Sequence, residues 1–433
     1  MNKLTDWLSK FLVTILLCSV FSGSALYGQK VETLSVENAY MLARKNYPLI
    51  KQRDLITKTK DFTVSNAAKG YLPSFSVKGQ ATYQSTVTDF PFEVPGIHIP
   101  QFNKDQYKMY AEADQLIYDG GVIKNKKESA IANEALEQQN LEVQLYALYE
   151  KVNQLFFGAL LMEEQLNQNL LLQKDIRNGI EKAKAFVANG VAYRSSVDEL
   201  SAQLLQSQQS NVEMSATKKA YLDMLKLFIG LEPDAGLALE KPPAPSLTEE
   251  IKRPELEAFN SQKKIYDLRG KLLKDQIKPR ISFFAQGGYG RPGLNFLSNN
   301  FDWYYIGGLR FSWDFGSLYS LKNNLHLLDI NKNSVETQKE VFLFNTRISQ
   351  LQQKESLQKF DSLIQKDNSI IELRTSVKKA AFAQLENGVL SAHDYINQVI
   401  AEDQARQNKI IHEVQLLQAQ YNYQNITGNI NNR

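Results

Sequence analysis

Residues 122–188 read VIKNKKESAIANEALEQQNLEVQLYALYEKVNQLFFGALLMEEQLNQNLLLQKDIRNGIEKAKAFVA, a run without a proline. Within it Leu141, Leu145, Leu148, Val152, Leu155, Ala159, Met162 and Leu166 fall at alternating steps of four and three, the a/d seam of a coiled coil. The pattern predicts one long helix, which at 1.5 Å per residue extends roughly 100 Å. A helix of that length has no core of its own. It must lie against others like it, and the rest of the chain supplies them.

Proline marks where such helices can run, because one in a helix interior costs about 3 kcal/mol. Two long stretches, 101–232 and 293–433, are free of it. The chain reads as two similar halves. Tyr47-Pro48 matches Arg253-Pro254, and Leu72-Pro73-Ser74-Phe75-Ser76 matches Lys278-Pro279-Arg280-Ile281-Ser282, both at an offset of 206. Tyr118-Asp119-Gly120-Gly121 then matches Trp313-Asp314-Phe315-Gly316 at 195, and Asn189-Gly190-Val191 matches Asn387-Gly388-Val389 at 198. Each half is expected to run helix, strand, strand, long helix, turn, helix.

The expected strands alternate. From Phe75 to Val87 the odd positions are mostly apolar, while the even positions from Ser74 carry Ser, Lys, Gln and Thr. A Pro-rich loop over 89–104 turns the chain, and Tyr107, Met109, Ala111 and Ala113 alternate on the return. The second hairpin repeats this with Ile281, Phe283 and Ala285, then Trp303, Tyr305, Leu309, Phe311 and Trp313. Alternation alone fits a membrane barrel or a soluble β-sandwich edge. Strands of about ten residues suffice to cross a bilayer when tilted, and aromatic residues near strand ends resemble the girdles of membrane barrels. Four strands per chain cannot close a barrel, so membrane strands would require several copies.

The expected organisation is a signal peptide over 1–28, a first repeat over 29–231, a Pro-rich connector over 232–252 and a second repeat over 253–433. The first repeat holds a hairpin over 74–119 and helices over 122–188 and 195–231; the second holds a hairpin over 280–314 and helices over 317–386 and 391–428. The signal peptide is read from Lys3 and Lys10, an apolar run Phe11–Val20, and small residues at Ser22, Gly23, Ser24 and Ala25. About ten apolar residues are too few for a retained anchor. Cys18, the only cysteine, follows Leu17 and lies in that segment, which argues against lipidation and leaves the remainder without a thiol.

The Gly190 and Gly388 turns suit left-handed caps, with Ser196–Glu199 and Ser391–Asp394 as capping boxes for the helices that follow. His98, His326, His393 and His412 lack metal-ligand spacing, although His393 adjoins Asp394. No nucleophile–base pair, phosphate loop or metal cluster stands out, so neither enzyme activity nor a cofactor is expected. A net charge of +3 gives no reason to expect nucleic acid.

The run Ala67-Ala68-Lys69-Gly70-Tyr71-Leu72-Pro73-Ser74, the Asp119-Gly120-Gly121 before the long helix and the Gly-Val turns at 190 and 388 resemble the TolC-like outer-membrane efflux proteins. The resemblance runs from about Leu34 to Gly428 and implies an α+β membrane protein. It implies a homotrimer in the cell outer membrane: a twelve-stranded β-barrel in lipid, and long antiparallel coiled-coil helices forming a periplasmic α-barrel. It also implies a passive exit duct for small molecules or polypeptides, serving a periplasmic adaptor and an inner-membrane transporter. On this reading Gly190, Val191, Gly388 and Val389 are the adaptor-docking turns, and Asp394 and Asn397 sit at the tunnel constriction. The tyrosine, arginine and aspartate that latch the tip in such channels fall here on Leu385, Leu390 and Ser196, so closure must rest on something else. The alternative is a secreted coiled-coil scaffold of the envelope that forms no channel.

Overall fold

The computed structural model describes residues 32–87, 96, 103–232 and 236–430. The expected signal peptide over 1–28 and most of the loop over 89–104 lie outside them. The chain runs β1 (Glu32–Leu34), α1 (Val36–Asn46), α2 (Gln52–Ala68), β2 (Ser74–Tyr83), β3 (Asp105–Tyr118), α3 (Val122–Tyr146), α4 (Leu148–Ala188) and α5 (Arg194–Ile229). It continues β4 (Leu237–Leu239), α6 (Pro254–Gln276), β5 (Arg280–Arg291), β6 (Asp302–Ser312), α7 (Gly316–Glu386) and α8 (Ala392–Thr427).

With neither proline nor glycine after its first residue, α7 continues for 71 residues, about 105 Å. The helix expected as one unit over 122–188 is instead two, interrupted at Ala147. The break falls where neighbouring tyrosines are held by different partners. Tyr146 donates its hydroxyl to the carbonyl of Asn425 at 2.5 Å, whereas Tyr149 meets Tyr40 of α1 edge-on at 4.7 Å. The helix expected from 195 starts at Arg194 with Tyr193 as its N-cap, so the Ser196–Glu199 capping box does not form. Ser391 does cap α8, accepting from the Asp394 amide. The strand read as far as Val87 ends at Tyr83. Within the connector, Leu237–Leu239 pairs in parallel with Glu32–Leu34, a pairing too short for alternation to announce.

The seam residues Leu141, Leu145, Leu148, Val152 and Ala159 are buried, yet so are Phe156, Phe157 and Leu160, which the seam excludes. Over its first third α4 is surrounded. Val36, Tyr40 and Ala43 of α1, Leu225 and Ile229 of α5, and Val414, Leu417 and Tyr421 of α8 close on it as one core. Each fully buried large apolar side chain contributes about 1.5–3 kcal/mol, so this core fixes how the helices cross.

Two helical layers extend from that waist. Towards the sheet, α2 packs on α3, α3 on α6 and α6 on α7; on the opposite side, α5 packs on α4, α4 on α8 and α8 on α7. The sheet is antiparallel in the order β2-β3-β5-β6. Its register joins Phe75, Ala113, Ala285 and Gly307 in one row, so up to the bulge after Leu116 of β3 the odd-numbered residues of all four strands share a face. That face exposes Phe75, Val77, Met109, Trp303, Tyr305 and Leu309. The other face is polar. Glu112 is buried there, bonded to Lys78 at 3.2 Å, Gln286 at 2.8 Å and Arg310 at 3.2 Å, and Arg310 also reaches Asp114 at 2.9 Å.

Candidate functional site at the helical tip

At the ends of α4 and α7 the chain reverses through two turns with matching bonds. Gly190 at φ +72° and Gly388 at φ +70° take the left-handed conformation that only glycine adopts freely. Val191 N–H donates to the Phe186 carbonyl at 2.8 Å and Val389 N–H to the Gln384 carbonyl at 2.9 Å. Gly190 and Gly388 donate to Val187 and Leu385, both at 3.0 Å, completing a Schellman cap in each turn. The side chains of Asn189 and Asn387 add bonds to Ala185 and Ala383. With three carbonyls of each helix end so engaged, the turns present Val191 and Val389 outward, 65% and 77% exposed.

Asp394 lies in the first turn of α8, exposed, and accepts the Ser391 hydroxyl at 2.6 Å. Asn397 lies one helical turn on, its amide nitrogen 3.2 Å from Nε2 of His393. The Nδ1 of His393 faces Glu199 of α5, so Glu199, freed from the expected capping box, joins the two hairpins. The hydrogen bond and charge of Glu199, with Asp394 adding to them, hold the His393 imidazole above its ordinary pKa.

Behind this surface the four helices share an apolar cluster. Ile176, Ile180 and Ala183 of α4, Leu200 of α5, Ala381 and Leu385 of α7, and Ala392, Tyr395, Ile396 and Val399 of α8 are its buried members. Gly179 admits the Tyr395 ring, which a Cβ would meet at 3.2 Å. Leu385 is 2% exposed and Leu390 packs against the cluster. At two of the three positions where the resemblance places latch residues, this chain packs leucines; the third is Ser196.

A charged network lies 10 to 18 residues from the turns, about 15–27 Å up the helices. Lys378 of α7 bonds Asp175 of α4 at 2.9 Å and Glu402 of α8 at 3.1 Å. Glu402, nearly fully buried, also accepts from Arg406 and from Thr375 at 3.1 Å. Burial pushes the Glu402 carboxyl up, but Arg406 and Lys378 outweigh it and hold the group below the usual carboxylate range. Burial likewise disfavours the charge on Lys378, and Asp175 and Glu402 overcome that. Next along α8, Asp403 turns to α4 and accepts from Gln168 at 2.8 Å; burial dominates there, so its carboxyl is held above the ordinary value. Among the described residues no group of three or more His, Cys, Asp or Glu side chains is placed to hold a metal ion, and no helix is long and apolar enough to cross a membrane.

No family model and no curated protein matches the sequence. Solved structures do match. The chain superimposes on CusC, described in terms of transmembrane channel formation, with a TM-score of 0.67 at 12% identity, covering 93% of this chain and 95% of that one. The Campylobacter jejuni CmeC outer membrane channel gives 0.62 at 13% identity, covering 91% and 85%, and the Neisseria gonorrhoeae MtrE outer membrane channel gives 0.60 at 12%, covering 91% and 88%. This is the fold of outer-membrane channels. The TolC-like fold expected from the sequence is therefore the fold of this chain.

Within the channel fold the turns, Asp394 and Asn397 stand together at the helical end farthest from the sheet. The Lys378 network escapes a sequence reading because its partners lie 203 and 24 residues away along the chain. The only local signal is a lysine ten residues before a Gly-Val turn, which a solvated helix face also gives.

Proposed function

We propose that three copies of this chain close head to tail into a tube that spans the outer membrane and the periplasm, a passive exit duct for an efflux or type I secretion system. The observation that carries it is that the same two edges are open at every level. In the sheet β2 and β6 are the unpaired edges; towards the sheet the free helices are α2 and α7; on the tip side they are α5 and α7. One edge always belongs to the first half of the chain and the other to the second. A contact of one edge with the other is heterologous, and it closes into a ring if the rotation allows.

The open helical edges carry apolar residues. Leu327, Ile330, Phe344 and Leu351 stand exposed on α7, Leu55 and Phe62 on α2, and Leu205 and Val212 on α5. Such surface calls for another copy. Three copies bring twelve strands, enough for a barrel with a lumen. Its apolar odd face then meets lipid, and the even face with Glu112 and Arg310 lines the water. The aromatics Tyr83, Tyr289 and Trp303 near one end of the strands and Phe311 and Trp313 near the other fit the two interfacial girdles. The matched turns support a duplicated ancestry for the halves. Gly190, Val191, Gly388 and Val389 present the surface for a periplasmic adaptor that couples the duct to an inner-membrane transporter, and Asp394 and Asn397 border the closed end.

The test is single-channel conductance of the detergent-purified protein in a planar bilayer, wild type against Asp394→Ala. The variant keeps the cap, since Ser391 still accepts from the backbone amide. Rare small openings that change in conductance or cation block in the variant support the assignment. Openings indifferent to it move the constriction elsewhere, and a protein that never inserts removes the channel reading.

A further inference from the structure

Below the Lys378 network, two surface ion pairs join the hairpin of α4 and α5 to that of α7 and α8. Lys182 of α4 meets Glu386 of α7 at 2.9 Å, and His393 of α8 meets Glu199 of α5. The two differ in one respect. Lysine and glutamate side chains do not change charge near neutrality, whereas histidine does. We propose that His393 and Glu199 form a proton-dependent clasp between the hairpins, tight when the imidazole is charged and loosened when it is neutral, so that acid holds the tip closed.

The surroundings of His393 suit both states. Two carboxylates act on it, Glu199 from α5 and Asp394 from its own helix. The other two helices at this level, α4 and α7, bring Lys182 and Glu386, which are bonded to each other. Asn397, 3.2 Å from Nε2, can donate its amide to a neutral ring or, rotated, offer its oxygen to a charged one. Losing the proton therefore strands no group. It replaces the ion pair with a weaker hydrogen bond from the neutral ring to the Glu199 carboxylate, in which only the acceptor is charged. Because the clasped imidazole is held above its ordinary pKa, the clasp contributes fully below about pH 6.5 and loses strength as pH rises through the raised value.

The position gives this small change leverage. His393 is five residues beyond Gly388, below the point where Lys378 pins the hairpins together, so the clasp acts on their free ends. Three copies would act in concert. Glu402 titrates in the acid range, below the usual carboxylate pKa, so the network above stays engaged while the clasp responds.

The inference rests on the channel reading, and two measurements separate the two. In planar bilayers between about pH 5.5 and 8.5, the open-to-closed ratio of the wild type should rise about twofold to fivefold per protomer, the range one exposed pair supports. His393→Gln should be open more often and lose that dependence; His393→Lys should lose it while staying closed. Hydrogen-exchange protection at the start of α5 and of α8, read in detergent relative to the intrinsic exchange rate at each pH, should fall as pH rises in wild type and in neither variant. An unchanged pH slope in both variants overturns the clasp. Absence of conduction in every variant, with pH-dependent protection intact, overturns the channel reading and leaves the clasp standing.

Discussion

Replacing Lys378 by methionine removes the cation that joins the two hairpins while keeping the length of its stem. Glu402, with its side chain 4% exposed, then loses one of its two cations and keeps Arg406. Breaking a buried pair outright costs about 3–5 kcal/mol; with Arg406 retained we expect about half, ~2 kcal/mol. Asp175, whose side chain is 36% exposed, rehydrates and adds under about 1 kcal/mol. The cost falls on local opening of the lower part of α8 against α7. At tenfold per 1.4 kcal/mol, amide exchange around Glu402 should accelerate by about 30-fold, while exchange around Tyr421 in the central core stays unchanged. Lys378→Met combined with Glu402→Gln should cost clearly less than the two single changes added, since no unpaired buried charge is then left. Unaltered exchange in Lys378→Met, or strict additivity of the pair, would refute the reasoning.

Asp403, unlike its neighbour, is held above the ordinary carboxylate pKa by burial, so ionising it weakens the fold at neutral pH. Asp403→Asn keeps an acceptor for Gln168 and should raise the thermal midpoint at pH 7, with the gain vanishing as pH falls below the ordinary carboxylate pKa near 4. Leu309→Arg places a charge on the apolar face of β6, where the variant should fold its helices yet assemble poorly in lipid vesicles, at a cost of about 2–4 kcal/mol if near mid-membrane; equal insertion efficiency would contradict the assignment of faces. Gly120→Ala sets a Cβ 2.7 Å from Cβ of Lys278 and 2.9 Å from the Asp275 carbonyl at a residue with φ +74°, and should lower the thermal midpoint more than Gly388→Ala, whose Cβ would find open space.

The parts of the fold legible in the sequence are those governed by short-range rules. Alternation in Phe75–Tyr83 and Ile281–Tyr289 sets the two faces of the sheet, and a proline-free run sets the length of α7. Local chemistry also places the glycine turns, because a reversal between helices needs a left-handed residue. What sequence patterns miss depends on packing between distant segments. The break at Ala147 has no breaker residue beside it, and the tyrosines flanking it are held by α8 and α1. Ser196 with Glu199 satisfies the capping-box spacing, but the N-cap of α5 falls three residues earlier, at Tyr193, and Glu199 turns to His393, 194 residues away. Leu385 and Leu390, where the resemblance places latch residues, belong to the tip cluster; the resemblance had no means of showing that apolar packing and Lys378 join the hairpins there.

The central claim, that copies of the chain close edge to edge into a ring of three, is tested most directly by covalent capture. Cys18 lies in the expected signal peptide, so cysteines can be introduced without competition: one at Val77 of β2, and others placed in turn along β6 from Trp303 to Phe311. Oxidation in outer-membrane vesicles should give, for the β6 positions in register, a ladder of monomer, dimer and trimer that ends at the trimer. A ladder that stops at the dimer, one that runs past three, or no crosslink at any β6 position would contradict the account.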